Sequence, residues 1–279
     1  MIVPDISRRT ALSLLGAGLL PACTTLSAPS SSNDTRNLAF GPHPRQTLDI
    51  YLPPGGGLNR PVVFFIYGGS WSGGSKSTYA LVGEAFAARG FVTVIADYRL
   101  VPEVRFPVFI DDGALALRYV HDNIARHGGD PRRIHLVGHS AGAYNAMMLT
   151  LDRRYLAAVG LKGRVIASAV GLSGPYDFLP LDGSVTRETF GRARDLAQTQ
   201  PITFARRDAP PVWLATGSAD RTVLPRNTES LAAQLKRAGA PVTVKIYDGL
   251  GHADLALALT PLFAWRAPVL DDVVGFLQR

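Results

Sequence analysis

The stretch Ile134-His135-Leu136-Val137-Gly138-His139-Ser140-Ala141-Gly142-Ala143-Tyr144-Asn145-Ala146-Met147-Met148 decides how this chain is read. Its first four residues have the make-up of a buried strand, and those from Ala143 to Met148 have the make-up of a helix. Between them, Gly138-His139-Ser140-Ala141-Gly142 fits the pattern G-x-S-x-G. A chain that turns from strand to helix within so few residues strains its central serine, and only glycines let the two backbones approach closely enough. The serine hydroxyl is then presented at a strand end, where it becomes a nucleophile if a base lies near.

Outward from this turn, short apolar, β-branched runs predict strands at 48–52, 62–67, 92–96, 134–138, 165–172, 212–217 and 242–247. Most are almost continuously apolar, as strands covered by helices on both faces are. Helix-type spacing occupies 79–89, 110–126, 141–151, 227–238 and 268–277, the last with its proline suited to a first helical position. Regular alternation of strand and helix implies a mainly parallel, doubly wound α/β sheet, with ligands bound at the carboxyl ends of its strands.

The base and acid are sought after the serine in the chain, because this class of fold runs serine, acid, histidine. Of the six histidines, His43, His121, His127, His135 and His139 precede Ser140, which leaves His252. It stands in Asp248-Gly249-Leu250-Gly251-His252, a glycine-rich loop just past the 242–247 strand. Twelve acidic residues follow Ser140. Asp220, directly after the 212–217 strand, is the preferred acid; Asp248 competes but lies four residues from His252 on the same loop. A tetrahedral intermediate also needs two preorganised N–H donors. Ala141, next after the serine, supplies one, and Gly69 or Ser70 in Tyr67-Gly68-Gly69-Ser70-Trp71 supplies the other. Trp71, Tyr144, Tyr176 and Phe178 are candidates to line a substrate pocket, with core packing as the alternative for each.

Composition bounds the rest. The chain has 279 residues, 47% of them hydrophobic and 18% charged, enough for one large domain. Its net charge of +7 is spread along the chain without an aromatic-interleaved basic run, which argues against nucleic acid as a partner. One cysteine, Cys23, excludes an internal disulfide and a cysteine-built metal site. No metal and no organic cofactor is implied.

That cysteine follows a basic segment, Ser7-Arg8-Arg9-Thr10-Ala11-Leu12, and an apolar stretch at 11–20 too short to span a bilayer. Residues 1–22 are expected to be a removable export signal of the secretory or twin-arginine type. Leu20-Pro21-Ala22-Cys23 resembles a bacterial lipobox, which implies lipidation of Cys23 and a membrane-tethered protein in the periplasm or cell envelope. Pro21 departs from the small residue usual there. Losing Arg8, Arg9 and Asp5 with the signal lowers the charge only from +7 to +6. Residues 23–37, rich in Ser, Thr, Ala and Pro, read as a flexible tether, and 38–279 as the catalytic domain.

Five blocks in order carry a family resemblance. They are Tyr67 to Trp71; Asp97-Tyr98-Arg99-Leu100 with Pro102-Glu103 and Phe106-Pro107; Gly138 to Gly142; Gly217 to Asp220 with Val223; and Gly251-His252. On these the chain resembles bacterial α/β-hydrolase carboxylesterases related to hormone-sensitive lipase and the feruloyl-esterase-like group. Many relatives carry His-Gly-Gly-Gly in place of Tyr67-Gly68-Gly69-Ser70, and Gly-Asp-Ser-Ala-Gly where this chain has His139. The resemblance implies an α/β-hydrolase fold and hydrolysis of small-molecule carboxylic esters through an acyl-enzyme. It also implies that the block around Asp97 is structural, so Asp97, Arg99, Asp111 and Asp112 are expected to be scaffold. An arylformamidase or peptidase with the same three side chains, or a non-catalytic binding protein on the same fold, are the alternatives.

Overall fold

The computed structural model describes residues 35–279. The expected signal at 1–22, Cys23 and all but the end of the expected tether lie outside the described residues. Among those described, eight strands form one sheet: β1 (Leu38–Ala39), β2 (Thr47–Tyr51), β3 (Arg60–Ile66), β4 (Val92–Ala96), β5 (Gly129–His139), β6 (Ile166–Leu172), β7 (Val212–Gly217) and β8 (Val242–Tyr247). The helices are α1 (Ala80–Ala88), α2 (Val108–Asn123), α3 (Ala141–Leu151), α4 (Arg153–Ala158), α5 (Ser184–Phe190), α6 (Arg226–Ala238), α7 (Asp254–Leu257) and α8 (Val269–Leu277).

Across the sheet the strands run β1-β2-β4-β3-β5-β6-β7-β8. The first two pairings are antiparallel and every pairing from β4 to β8 is parallel, so the expected mainly parallel sheet is what forms. The chain leaves β3 through α1 to β4 on one side, and leaves β5 through α3 to β6 on the other. The crevice between the carboxyl ends of β3 and β5 is therefore the topological switch point, where open α/β sheets bind ligands.

Side-chain choice explains the layers. Val62, Val63, Phe64 and Phe65 of β3 are shut off from water on both faces of the sheet. All eleven residues of α3 are buried against β5 and β6, which is why that segment is apolar all round rather than on one stripe. Helix α6 is the opposite case: Asn227, Thr228, Leu231, Ala232 and Leu235 form its buried face, its other side is polar, and Gly239 at φ 78° closes it.

Several expectations needed adjustment. The strand expected over 134–138 runs from Gly129 to His139. The helix expected over 110–126 begins at Val108 and ends at Asn123, the remainder tightening into a 3₁₀ turn at Ile124–His127. Between β6 and β7, simple alternation gives way to α5 and two 3₁₀ turns, Leu196–Thr199 and Pro201–Phe204. Helix α5 buries only Thr189 and Phe190, so it carries no apolar period for a sequence reading to find.

Candidate active site

Ser140 sits at the switch point between β5 and α3 with φ 56° and ψ −124°. Left-handed backbone at a non-glycine residue costs about 1–3 kcal/mol, and its surroundings must hold it there. They do so through the Ser140 N–H, which donates to the Leu172 carbonyl of β6 at 2.8 Å, and the Ser140 carbonyl, which accepts from Tyr144 N–H at 3.1 Å. The close approach that the two glycines allow is visible at Gly142, where a Cβ would fall 2.0 Å from the Ile66 carbonyl oxygen.

The Ser140 hydroxyl donates to His252 Nε2 at 2.8 Å, and His252 Nδ1–H donates to Asp220 Oδ2, also at 2.8 Å. These three residues come from the ends of β5, β7 and β8, neighbours through β6 at one sheet edge. The Asp220 carboxylate is fully buried, with its other oxygen accepting the N–H groups of Thr222 and Val223, both at 2.9 Å. Burial works to raise this carboxyl. The hydrogen bond to His252 and the two backbone donors outweigh it, and the group sits below the usual carboxylate range. The competing acid does not reach the histidine: Asp248 instead accepts from the Ser218 hydroxyl at 2.9 Å on the exposed side of the loop.

Gly68 brings the β3 loop against the elbow at His139 and Ser140, and Gly69 and Ser70 follow it directly in that loop. Gly69, Ser70 and Trp71 have φ of 138°, 54° and 58°, a backbone path that turns the loop sharply. No backbone carbonyl among the described residues accepts from the N–H of Gly69 or Ser70. Ala141 is the first residue of α3, where a helix leaves its N–H groups unpaired. The loop is braced from behind: the Tyr98 hydroxyl donates to the Tyr67 carbonyl at 2.9 Å, and Tyr67 hydroxyl donates to Asp97 at 2.8 Å. Arg45 donates to the Tyr67 hydroxyl and to the Gly74 carbonyl at 2.8 and 2.9 Å. Tyrosine thus anchors the loop at the position where many relatives have histidine.

The aromatic candidates take up core positions. Trp71, Tyr144 and Tyr176 are buried, and Phe178 is partly so. Trp71 meets Tyr144 and Phe190 edge-on at 5.2 and 4.8 Å, and its indole N–H donates to Asn145 at 3.2 Å. Of the expected scaffold residues, Asp97, Arg99 and Asp112 hold structure. Arg99 grips Asp112 with Nη2 at 2.7 Å and Nε at 2.9 Å, while Gln46 donates to the same carboxylate at 2.7 Å. No three His, Cys, Asp or Glu side chains among the described residues gather around a point that could hold a metal ion.

One residue of this site was noted in the sequence only as a departure from the relatives. His139 is buried, and its Nε2–H donates to the backbone carbonyl of His252 at 3.0 Å. The signal that could have found it is its place as the variable residue of the elbow, directly before the serine.

Strand order, elbow and the hydrogen-bonded serine, histidine and aspartate at the switch point define an α/β-hydrolase. Within that class the chain belongs to the BD-FAE family, whose profile matches residues 48–235. It is 31% identical over 275 residues to a probable isoprenylcysteine alpha-carbonyl methylesterase of Oryza sativa subsp. japonica, covering 89% of this chain and 64% of that one. It is 44% identical over 106 residues to the carboxylesterase NlhH of Mycobacterium tuberculosis, 37% of this chain and 33% of that one. The chain spans less than two thirds of the length of the curated relatives it matches. Among solved structures, a truncated carbohydrate esterase from gut microbiota superposes with a TM-score of 0.76 at 23% identity, covering 88% of this chain and 97% of that one. Thermogutta terrifontis esterase 2, phosphoramylated by tabun, does so at 0.73 and 23%, covering 86% and 92%. At such identities the likeness is one of fold.

Proposed function

We propose that this protein is a serine carboxylesterase that hydrolyses small-molecule carboxylic esters through an acyl-enzyme. The observation that carries the reading is the unbroken relay from Asp220 through His252 to Ser140, with both links at 2.8 Å and the serine held in elbow geometry. A serine hydroxyl is a weak nucleophile at neutral pH and needs such a base. Ser140 Oγ attacks the ester carbonyl as His252 Nε2 takes its proton. Asp220 fixes the Nδ1–H tautomer and stabilises the imidazolium that forms. The N–H of Ala141, with that of Gly69 or Ser70, receives the oxyanion. The imidazolium returns its proton to the departing alkoxide; water, activated by the same imidazole, then attacks the acyl-Ser140 ester and releases the acid. Relatives named carboxylesterase and methylesterase support ester over amide chemistry.

Replacing Ser140 by alanine tests the reading. Hydrolysis of p-nitrophenyl acetate and labelling by a fluorophosphonate should both vanish while the circular dichroism spectrum stays unchanged; residual turnover above about one thousandth would reject Ser140 as the nucleophile. An aryl formamide and a peptide anilide run beside the ester separate esterase from amidase activity.

Export and anchoring belong to the same proposal: residues 1–22 direct the chain out of the cytoplasm and Cys23 carries a lipid. The support is the order of basic segment, short apolar stretch and single cysteine along the sequence. Mass analysis of the mature N-terminus from a bacterial host decides it, since an unmodified Cys23 at an intact N-terminus contradicts the proposal.

A further inference from the structure

We infer that His139 is a positioning residue: its imidazole, directly before the nucleophile, clamps the backbone of His252 and so sets the height of the base above Ser140. The inference rests on Ser140 and His252 acting as proposed above.

The loop that carries His252 is pinned residue by residue up to the base. Gly249, at φ 70°, donates its N–H to the Ser218 hydroxyl at 2.9 Å, and the same hydroxyl donates to Asp248 at 2.9 Å. Leu250 is held through its carbonyl, which accepts from Ala219 N–H at 3.0 Å, and Gly251 through its N–H, which donates to Asp254 at 2.7 Å. At His252 itself the carbonyl accepts from His139 Nε2 at 3.0 Å. Two consecutive residues of the elbow therefore hold one residue of the base loop at two points. His139 takes its backbone and Ser140, through the 2.8 Å hydrogen bond, takes its ring. Because β5 register fixes His139 and Ser140 together, opposite Leu172 and next to it, the clamp ties the base to the strand that carries the nucleophile.

The chemistry of the clamp is specific. A carbonyl oxygen can only accept, so Nε2 carries the proton, and the buried Nδ1, which has no hydrogen-bond partner among the described residues, is the lone-pair nitrogen. The two rings lie 5.1 Å apart, so a charged His139 would oppose the imidazolium that His252 must become. Burial first, and then the neighbouring His252, push His139 down to about 4, against weaker upward pulls from the His252 carbonyl and Asp220. His139 is a donor that stays neutral while the base beside it cycles.

The test pairs His139→Phe, which keeps a ring but removes the donor, with His139→Gln, whose amide N–H can reach the same carbonyl. In His139→Phe, kcat for p-nitrophenyl acetate and the rate of fluorophosphonate labelling should fall about tenfold or more, as misplacement of a catalytic group predicts. KM should stay within about twofold, and His139→Gln should recover most of the loss. Wild-type rates in the phenylalanine variant, or equal impairment in both, would overturn the clamp. Nitrogen-15 NMR of the unaltered protein gives a reading that no variant's folding can obscure: His139 should be the neutral Nε2–H tautomer at pH 6, and an Nδ1–H tautomer or a charged ring would overturn the inference. Absence of turnover and labelling in the unaltered protein would reject the Ser140 reading, and this inference with it.

Discussion

A methyl group at Gly68 would lie 2.8 Å from the Cβ of Ser140 and 2.9 Å from the His139 carbonyl oxygen. The loop proposed to offer oxyanion donors is thus pressed directly onto the turn that carries Ser140, the proposed nucleophile, and neither obstacle is a flexible side-chain end. Gly68→Ala should push the loop outward and lower kcat/KM about a hundredfold, since displacement near 1 Å has that effect on aligned groups. Steady-state kinetics with p-nitrophenyl acetate, alongside a thermal melt to verify folding, checks it. A variant with wild-type kinetics would mean the loop does not act from this position.

Asp220→Asn should keep the fold and lose about 10⁴ in kcat, because an amide in place of the carboxylate lets the imidazole take the wrong tautomer and cannot stabilise its charge. Asp248→Asn should leave kcat almost unchanged, since that side chain meets Ser218 and not His252. Comparing the two variants at saturating substrate reads the difference directly. A larger loss from the Asp248 substitution would reverse the assignment.

Asp112→Ala should cost about 2–3 kcal/mol of stability, less than for a fully buried ion pair because the Arg99 left behind keeps access to water. The carboxylate is fully buried and holds both Arg99 and Gln46. Urea unfolding measures the loss, and kcat of the folded fraction should stay near that of the parent.

Asp111 gives a pH-dependent prediction of opposite sign to most acids. Burial, and after it the charge of Asp112, raise its carboxyl from 3.8 to about 6, so the folded state holds this proton more tightly than the unfolded chain does. Its contribution to stability is complete below about 4 and is lost as the pH rises through 6. Asp111→Asn should therefore raise the unfolding temperature at pH 8 and not at pH 4. The gain, discounted for the partial exposure of the group, is on the order of 1 kcal/mol. Calorimetry at the two pH values checks the sign.

The elbow was legible because its requirement is local. Gly138, Ser140 and Gly142 must sit two residues apart for a strand to turn into a helix, and flanking residues that make β5 and α3 announce both elements. His252 was legible by elimination, and the strands at 92–96, 212–217 and 242–247 were bounded by their apolar runs to the residue. The Ser184 to Phe190 helix was not, because it packs through two residues and otherwise faces solvent. The aromatic residues at 71, 144 and 176 could be read from sequence as pocket or core alike; their burial, and the edge-on packing of Trp71 on Tyr144, are properties of the packed molecule.

What the sequence determined by itself is therefore the order of the main strands and helices, the turn that strains the serine and the one histidine that follows it. Tertiary structure decided which aspartate faces that histidine, that Tyr67 is tied to Asp97 and Tyr98, and that His139 reaches the His252 carbonyl. Each of these is a contact between residues far apart along the chain, brought together where strand ends meet. Local residue pattern sets where a strand ends, but only the packed sheet sets which ends meet.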